Sequence, residues 1–460
     1  MFEDHPPGAP EPPEPPEPPE PPEPPEPPGP PEPPSPSATP VPQDARDLIW
    51  IRQVLAAMEP SSSPAEAVDR IRVLEELKAA CAAAQARETV VLDDHRQAED
   101  AAHGRTKGDF GRGVGGEVGL ARRESPHRGL RRLRLARHLV QDMPHTLAAL
   151  TTGEISEGRA AALERETHWL PPEARRGVDE ALSERMPFLG DRDLINEVRQ
   201  EAIRQDPVAA TEYFDRAAES RHVTVRPARN GMAYLTALLP LEQAAACRRA
   251  LMERAASVTA TGEAAGRTPH QIMADAMAER LTGQARATDT TVEIQLGMTD
   301  AALLDGEDTP AWLPGHGPVP AEHARQILGR TEAEVYLRRL YTAPDTGNLV
   351  AMDSKQRTFP ALLRRMVLLR DDLCRTPYCD APIRHVDHAV PHREGGATSW
   401  ENGSGLCARC NFMKEQPGWN HRPGPDGLQV RTPTGHIYAM PVRPFAPPGR
   451  RWGPDPEQAA

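Results

Sequence analysis

The chain has 460 residues, a formal net charge of −13, and 38% hydrophobic but only 4% aromatic residues. That length holds two or three domains, and with so few aromatics their cores fall to Ala, Leu, Val and Ile. No run of about 18 apolar residues is present, which excludes a membrane-spanning helix. The start MFEDHPPGAP lacks the basic-then-apolar layout of a signal peptide, so a cytoplasmic protein with reduced thiols is expected.

In chain order, residues 1–43 form a Pro/Glu-rich tail, with Glu-Pro-Pro repeating from Glu11 to Glu26. Proline this dense prevents helix and sheet hydrogen bonding, so a disordered segment of polyproline II character is expected. Residues 1–42 carry nine acidic residues and no Lys or Arg, most of the net charge. A proline-motif ligand, an acidic mask over a basic nucleic-acid groove and a solvated spacer all stay open.

Residues 44–350 read as a mainly α-helical domain with short β-hairpins. Leu48, Ile51, Val54 and Leu55, then Val68, Ile71, Val73, Leu74 and Leu77, repeat at helical spacing. The glycines from Gly104 to Gly116 suggest an exposed loop. Arg131, Arg132, Arg134 and Arg137 alternate with Leu130, Leu133, Leu135 and Leu139 as a basic amphipathic helix. Its arginines are either a solvated face or phosphate contacts. Cys81 and Cys247 sit in Ala-rich stretches and read as small buried residues. A hairpin is predicted over 222–239, turning at Asn230-Gly231. Helices follow over 241–256 and 269–281, then a strand over 291–297, a Pro/Gly loop over 314–320 and a hairpin around Asp345–Gly347.

The densest signal comes near the C-terminal end. Two cysteine pairs, Cys374/Cys379 and Cys407/Cys410, stand 27 residues apart. Two close pairs separated by a loop suit a tetrahedral zinc ion, each pair wrapping one edge of the metal. Asp387-His388, Asn402 and Asn411 lie between and after them, and zinc alone does not require these. Arg384–Thr398 reads as a hairpin turning at Arg393–Gly396, while Leu406, Cys407, Cys410 and Met413 have helical spacing. Such a hairpin and helix can bring Asp387 and His388 opposite Asn411. A carboxylate and an amide oxygen suit Mg2+ or Mn2+, and an adjacent imidazole can take a proton from water at neutral pH. The plainer reading is a structural zinc knuckle with His388 on its surface.

These residues resemble the HNH endonuclease family. Its pattern runs Cys…Cys, Asp-His-hydrophobic-x-Pro, Gly-Gly-x-Thr-x-x-x-Asn, then Leu-Cys-x-x-(Cys/His)-(His/Asn)-x-x-Lys. The chain supplies Asp387, His388, Pro391, Gly395, Gly396, Thr398 and Asn402, then Leu406, Cys407, Cys410, Asn411 and Lys414, in that order. The resemblance implies an α+β multidomain chain ending in a zinc-stapled ββα-metal module. It implies structural Zn2+ on the four cysteines and catalytic Mg2+ or Mn2+ on Asp387 and Asn411. It makes His388 the general base and Asn402 the residue that pins the loop orienting it. Double-stranded DNA is the implied partner, with a bacterial, nucleoid-associated location when bound. Arg384, His392, Arg393 and Lys414 are candidate phosphate contacts. Three features depart from the pattern: Asn411 where His is usual, four residues inside the first cysteine pair, and Gly403 and Gly405 in place of apolar residues. These glycines are expected to loosen the approach to the helix.

The layout ahead of the module, with DPxAA at Asp206–Ala210 and a strand–Asn-Gly–strand unit, also resembles a large actinobacterial family whose helical domain has no assigned chemistry. The nuclease module is expected over 355–422, and a Pro/Gly-rich tail over 423–460 with one short hairpin at 428–442. From Lys355 to Arg451, 15 Lys/Arg stand against eight Asp/Glu. That asymmetry is expected if this part meets nucleic acid. The leading function is a DNA endonuclease. The alternatives are a catalytically weak or inactive zinc-containing nucleic-acid-binding or scaffold protein, and an interaction module built on the Pro/Glu tail.

Overall fold

The computed structural model describes residues 43–287, 297–299, 301–315, 317–329, 358–424 and 427–441. The Pro/Glu repeats, residues 291–296 of the strand expected over 291–297, the hairpin around 345–347 and residues 442–460 lie outside them. The chain forms two units, 1–69 and 70–460, divided within one helix. The first holds α1 (Gln43–Ala56) and the start of α2 (Pro64–Ala102), where the helical spacing of the sequence predicts them.

In the second unit α2 continues as a spine. Ala79, Ala82, Ala83, Ala86 and Val90 share one core with residues of α4 (Pro126–Gln141), α5 (Pro144–Thr152), α6 (Glu157–Thr167), α7 (Pro172–Leu182) and α8 (Asp191–Gln205). The alanine stripe lets these helices approach closely, and Leu139, Leu150, Leu163 and Leu194 fill the space between them. The DPxAA stretch is a helix start: Asp206 accepts from Ala209 N at 2.9 Å, and Pro207 opens α9 (Pro207–Ala217). Cys81 and Cys247, expected inside, are exposed. On an Ala-rich helix the two faces look alike in sequence, so burial cannot be told from the pattern.

The basic helix is α4, and its arginines divide. Arg132 pairs with Glu124 and Glu157, Arg134 with Glu164, and Arg137 with buried Asp93. Arg131 has no ion pair among the described residues. The glycine stretch is only partly a loop. It ends at Gly113, and Gly115, Gly116 and Gly119 lie buried within α3 (Val114–Ala121). They serve close approach: a Cβ on Gly129 of α4 would lie 2.0 Å from Gly115 O and 2.5 Å from Gly119 N.

β1 (His222–Pro227) and β2 (Ala233–Leu238) pair antiparallel, with Asn230 and Gly231 at φ 59° and 72° in the turn. α10 (Leu241–Ala260) and α11 (Pro269–Thr282) follow, the second opened by a capping box of Thr268 and Gln271. The stretch read as a Pro/Gly loop over 314–320 is instead the turn and return strand of a small hairpin, β3 (Ala311–Leu313) with β4 (Gly317–Val319), ahead of α12 (Ala321–Gly329).

The C-terminal part has α13 (Ala361–Asp371), β5 (His385–His388), β6 (Gly403–Leu406) and α14 (Ala408–Lys414). β5 pairs antiparallel with β6, matching His388 to Gly403. The return strand therefore comes after Asn402, not before Thr398, and a loop with a 3-10 turn at His392–Glu394 fills the interval. Gly403 and Gly405 do not loosen it. A Cβ on Gly403 would meet Phe359 and Val367 at 2.9 Å, and one on Gly405 would meet Ile383 at 2.5 Å. Neighbouring side chains occupy the space that apolar residues would take. β7 (Asn420–Gly424), β8 (Gly427–Arg431) and β9 (Ile437–Pro441) make a three-stranded antiparallel sheet, which contains the hairpin expected near 428–442. Its Leu428 and Val430 share a core with Met413, Trp419, Ala389 and Leu120 of α3. Glu117 of α3 accepts from Thr434 Oγ1 at 2.8 Å and pairs with Arg96 at 3.1 Å. The architecture is mainly helical with short antiparallel hairpins. Among the described residues no helix is long and apolar enough to cross a membrane.

Candidate metal centre and active site

The loop before β5 and the start of α14 bring the Sγ atoms of Cys374, Cys379, Cys407 and Cys410 within 4.8 Å of one another. Cys379 lies 4.0 Å from Cys407 and 3.7 Å from Cys410. Ligands about 2.3 Å from a tetrahedral zinc stand about 3.8 Å apart, so the spacing fits a metal ion. All four cysteines are buried. Hydrogen bonds from Cys374, Cys379 and Cys410 hold the Cys407 thiol low, while those with Cys374, Cys379 and Cys407 push Cys410 up. Four thiolates can share this space only around a cation.

Asp387 and His388 end β5. Neighbours on a strand normally point apart, yet Asp387 Oδ1 accepts from His388 N at 2.8 Å and stands 3.7 Å from its Nδ1. His388 is buried, with Nε2 hydrogen-bonded to Thr398 Oγ1 at 2.8 Å and Phe359 at 4.7 Å between ring centroids. Asn402 clamps the loop. Its Oδ1 accepts from Val390 N at 2.8 Å, and its Nδ2 donates to Val390 O at 3.0 Å and Ala397 O at 2.8 Å. On α14, Asn411 Oδ1 is buried with no hydrogen-bond partner among the described residues. An orphaned buried acceptor costs about 1–3 kcal/mol, which suits an oxygen held ready for a cation.

Of the expected phosphate contacts, Arg384, His392 and Arg393 are exposed, and Arg393 pairs with Glu415 at 3.3 Å. Lys414 is placed differently. It is buried, with Nζ 3.1 Å from Asp387 Oδ2 and 2.7 Å from Glu415 Oε1, and it donates to His388 O at 3.0 Å. Its ammonium braces the strand end and leaves no donor for a phosphate. Burial opposes the charge on Asp387, but Lys414 and the His388 N–H outweigh it and hold the carboxyl below its ordinary value. Burial holds the His388 imidazole below its ordinary value against the pull of Asp387.

Thr398 stands in the motif without an evident role, and only the fold reveals its bond to His388. Arg370 is buried and donates to Trp400 O and Gly403 O, both at 2.6 Å, while Asp371 accepts from Gly405 N at 2.7 Å. Leu363, Val367, Arg370 and Asp371 recur at helical spacing, so the buried stripe was there to be read.

Two antiparallel strands and a helix, with Asp-His ending the first strand and cysteines stapling the helix start, define a nuclease-type module. The HNH endonuclease family model matches residues 374–416. The model of the family described as Domain of unknown function (DUF222) matches residues 71–371, more than half of the chain, and the chain belongs to that family. No curated protein and no solved structure matches it.

Proposed function

We propose that this chain is a metal-dependent endonuclease that hydrolyses phosphodiester bonds of double-stranded DNA, with His388 as its general base. The observation that carries the reading is a buried imidazole fixed at Nε2 by Thr398 and set beside the Asp387 carboxylate. With Nε2–H donated to Thr398 Oγ1, Nδ1 keeps its lone pair and takes a proton from the attacking water. Asn402 keeps the loop, and so the ring, in place. Asp387 and the orphaned Asn411 Oδ1 would hold Mg2+ or Mn2+, which when bound supplies positive charge to the phosphate. The four cysteines would hold Zn2+ as a staple. Arg384, His392 and Arg393 flank β5 and its loop as phosphate contacts.

A second reading has its own observation. The Lys414 ammonium already sits on Asp387 Oδ2, where it would compete with a cation and leave a nucleic-acid-binding protein of weak or no activity. Incubation with plasmid DNA in Mg2+ or Mn2+ separates the two. On the nuclease reading, His388→Ala lowers cleavage by about 10²–10⁴ with DNA binding retained, and high Mn2+ partly restores Asp387→Ala. A His388→Ala protein that matches the wild-type rate rejects it.

A further inference from the structure

We infer that the cleft between α4 and α14 binds an unpaired nucleic-acid strand, with one base against Phe412 and phosphates on Arg131 and Arg409. The inference rests on the nuclease reading for why such a strand would be present, but not for the cleft itself. A cavity of about 280 Å³ opens between Pro126, Leu130 and Leu133 on one side and Arg409, Phe412 and Gln416 on the other. That is near the lower end of ligand pockets, about 300–1,000 Å³. Gly113, Gly115 and Gly116 line it and leave it open because they carry no side chains.

Its walls are apolar and open to solvent. Phe412 is 52% exposed and Leu130 42%. The Arg112 guanidinium lies 5.3 Å from the Phe412 ring centroid, a cation–π contact that steadies the ring. The cations around the cleft differ in what they are free to do. Arg137 is committed to Asp93 and Arg112 to Asp109. Arg131 and Arg409 are exposed and have no ion pair among the described residues. Arg409 lines the cleft, and Arg131 follows Leu130, which also lines it, on α4. An exposed aromatic ring beside unpaired arginines is the equipment of single-strand binding, where bases stack and phosphates pair. A duplex hides its base faces and offers the ring nothing.

Helical spacing separates this face from the catalytic one. Arg409 and Phe412 lie along one side of α14, and Asn411 and Lys414 on the other. A strand in the cleft therefore leaves the Asp387–His388 pair accessible. Arg131 also gives the helical domain a part in substrate contact.

The test is fluorescence anisotropy on the full chain with a labelled oligothymidylate, without added divalent cation so that nothing is cut. Phe412→Ala should weaken binding roughly tenfold, and Phe412→Tyr, which keeps the stacking face, should not. The Arg131→Ala/Arg409→Ala double variant should reduce the slope of log affinity against log salt by about 1.4, at about 0.7 per phosphate. Arg192→Ala, exposed elsewhere, should change neither. Thermal unfolding and metal content equal to wild type show that each variant is folded. Unchanged affinity and slope, or the same losses on a closed duplex, overturn the inference. His388→Ala should bind the oligonucleotide as wild type does, so failure of the nuclease reading would appear in plasmid cleavage and not here.

Discussion

His421 on β7 is 2% exposed, and neither ring nitrogen has a hydrogen-bond partner among the described residues. Burial, aided by the Lys414 charge, pushes its pKa down to about 3. The unfolded chain takes up that proton near pH 6.5, so the unfolded state binds more protons between those values and stability falls as pH drops. By pH 5 the loss relative to pH 7 should be about 2 kcal/mol. Urea unfolding at the two pH values should show it, and His421→Leu should flatten the difference; an equally acid-sensitive variant would assign the loss to other groups. The cysteine cluster predicts about one tightly held zinc per chain by elemental analysis. Cys407→Ser should lose both metal and stability, and a variant that stays loaded would remove the staple from the account. The cysteines and the Asp-His pair were legible because chemistry restricts which residues can stand at that spacing. Lys414 and Arg370 were not, because a cation in sequence looks the same whether it meets solvent or a buried carboxylate.

Elements were legible where a local signal sets them. The Asn230-Gly231 turn marks β1 and β2, and Thr268-Pro269 with Gln271 marks the start of α11. The partner of β5 was missed because no tight turn joins it to β6. The link is a long loop whose ends are tied by Asn402, and that tie exists only once the chain has folded. α3 was missed for a related reason. Glycine is a poor helix former, and here three occur within eight residues because backbone must meet backbone. Gly129→Ala tests this. On an open helix the change would stabilise by up to about 1 kcal/mol. Here the new methyl collides with the backbone of α3, and a loss of about 1–3 kcal/mol is expected from the midpoint of chemical unfolding. A gain would mean that α3 and α4 are not in such close contact.

At the scale of the whole molecule, charge is unevenly distributed, with nine acidic residues in 1–42 and a basic excess after Lys355. If the tail competes for the nucleic-acid surface, the full chain should bind DNA more weakly than one lacking residues 1–42, and the gap should close as salt rises. Equal affinities at low salt would make the tail a spacer. Such measurements call for the rest of the chain intact, because Leu428, Val430 and Trp419 are covered by Leu120 of α3. That seat also bears on inheritance. Glu117 and Thr434 meet across 317 positions of sequence, and Met413 lies where any side chain at Gly116 would stand. A gene rearrangement that grafts this nuclease end onto another helical domain would yield a folded product only if the recipient already carried a matching Gly-Gly-Glu-x-x-Leu socket. The two ends of the gene are therefore expected to travel, and to change, together.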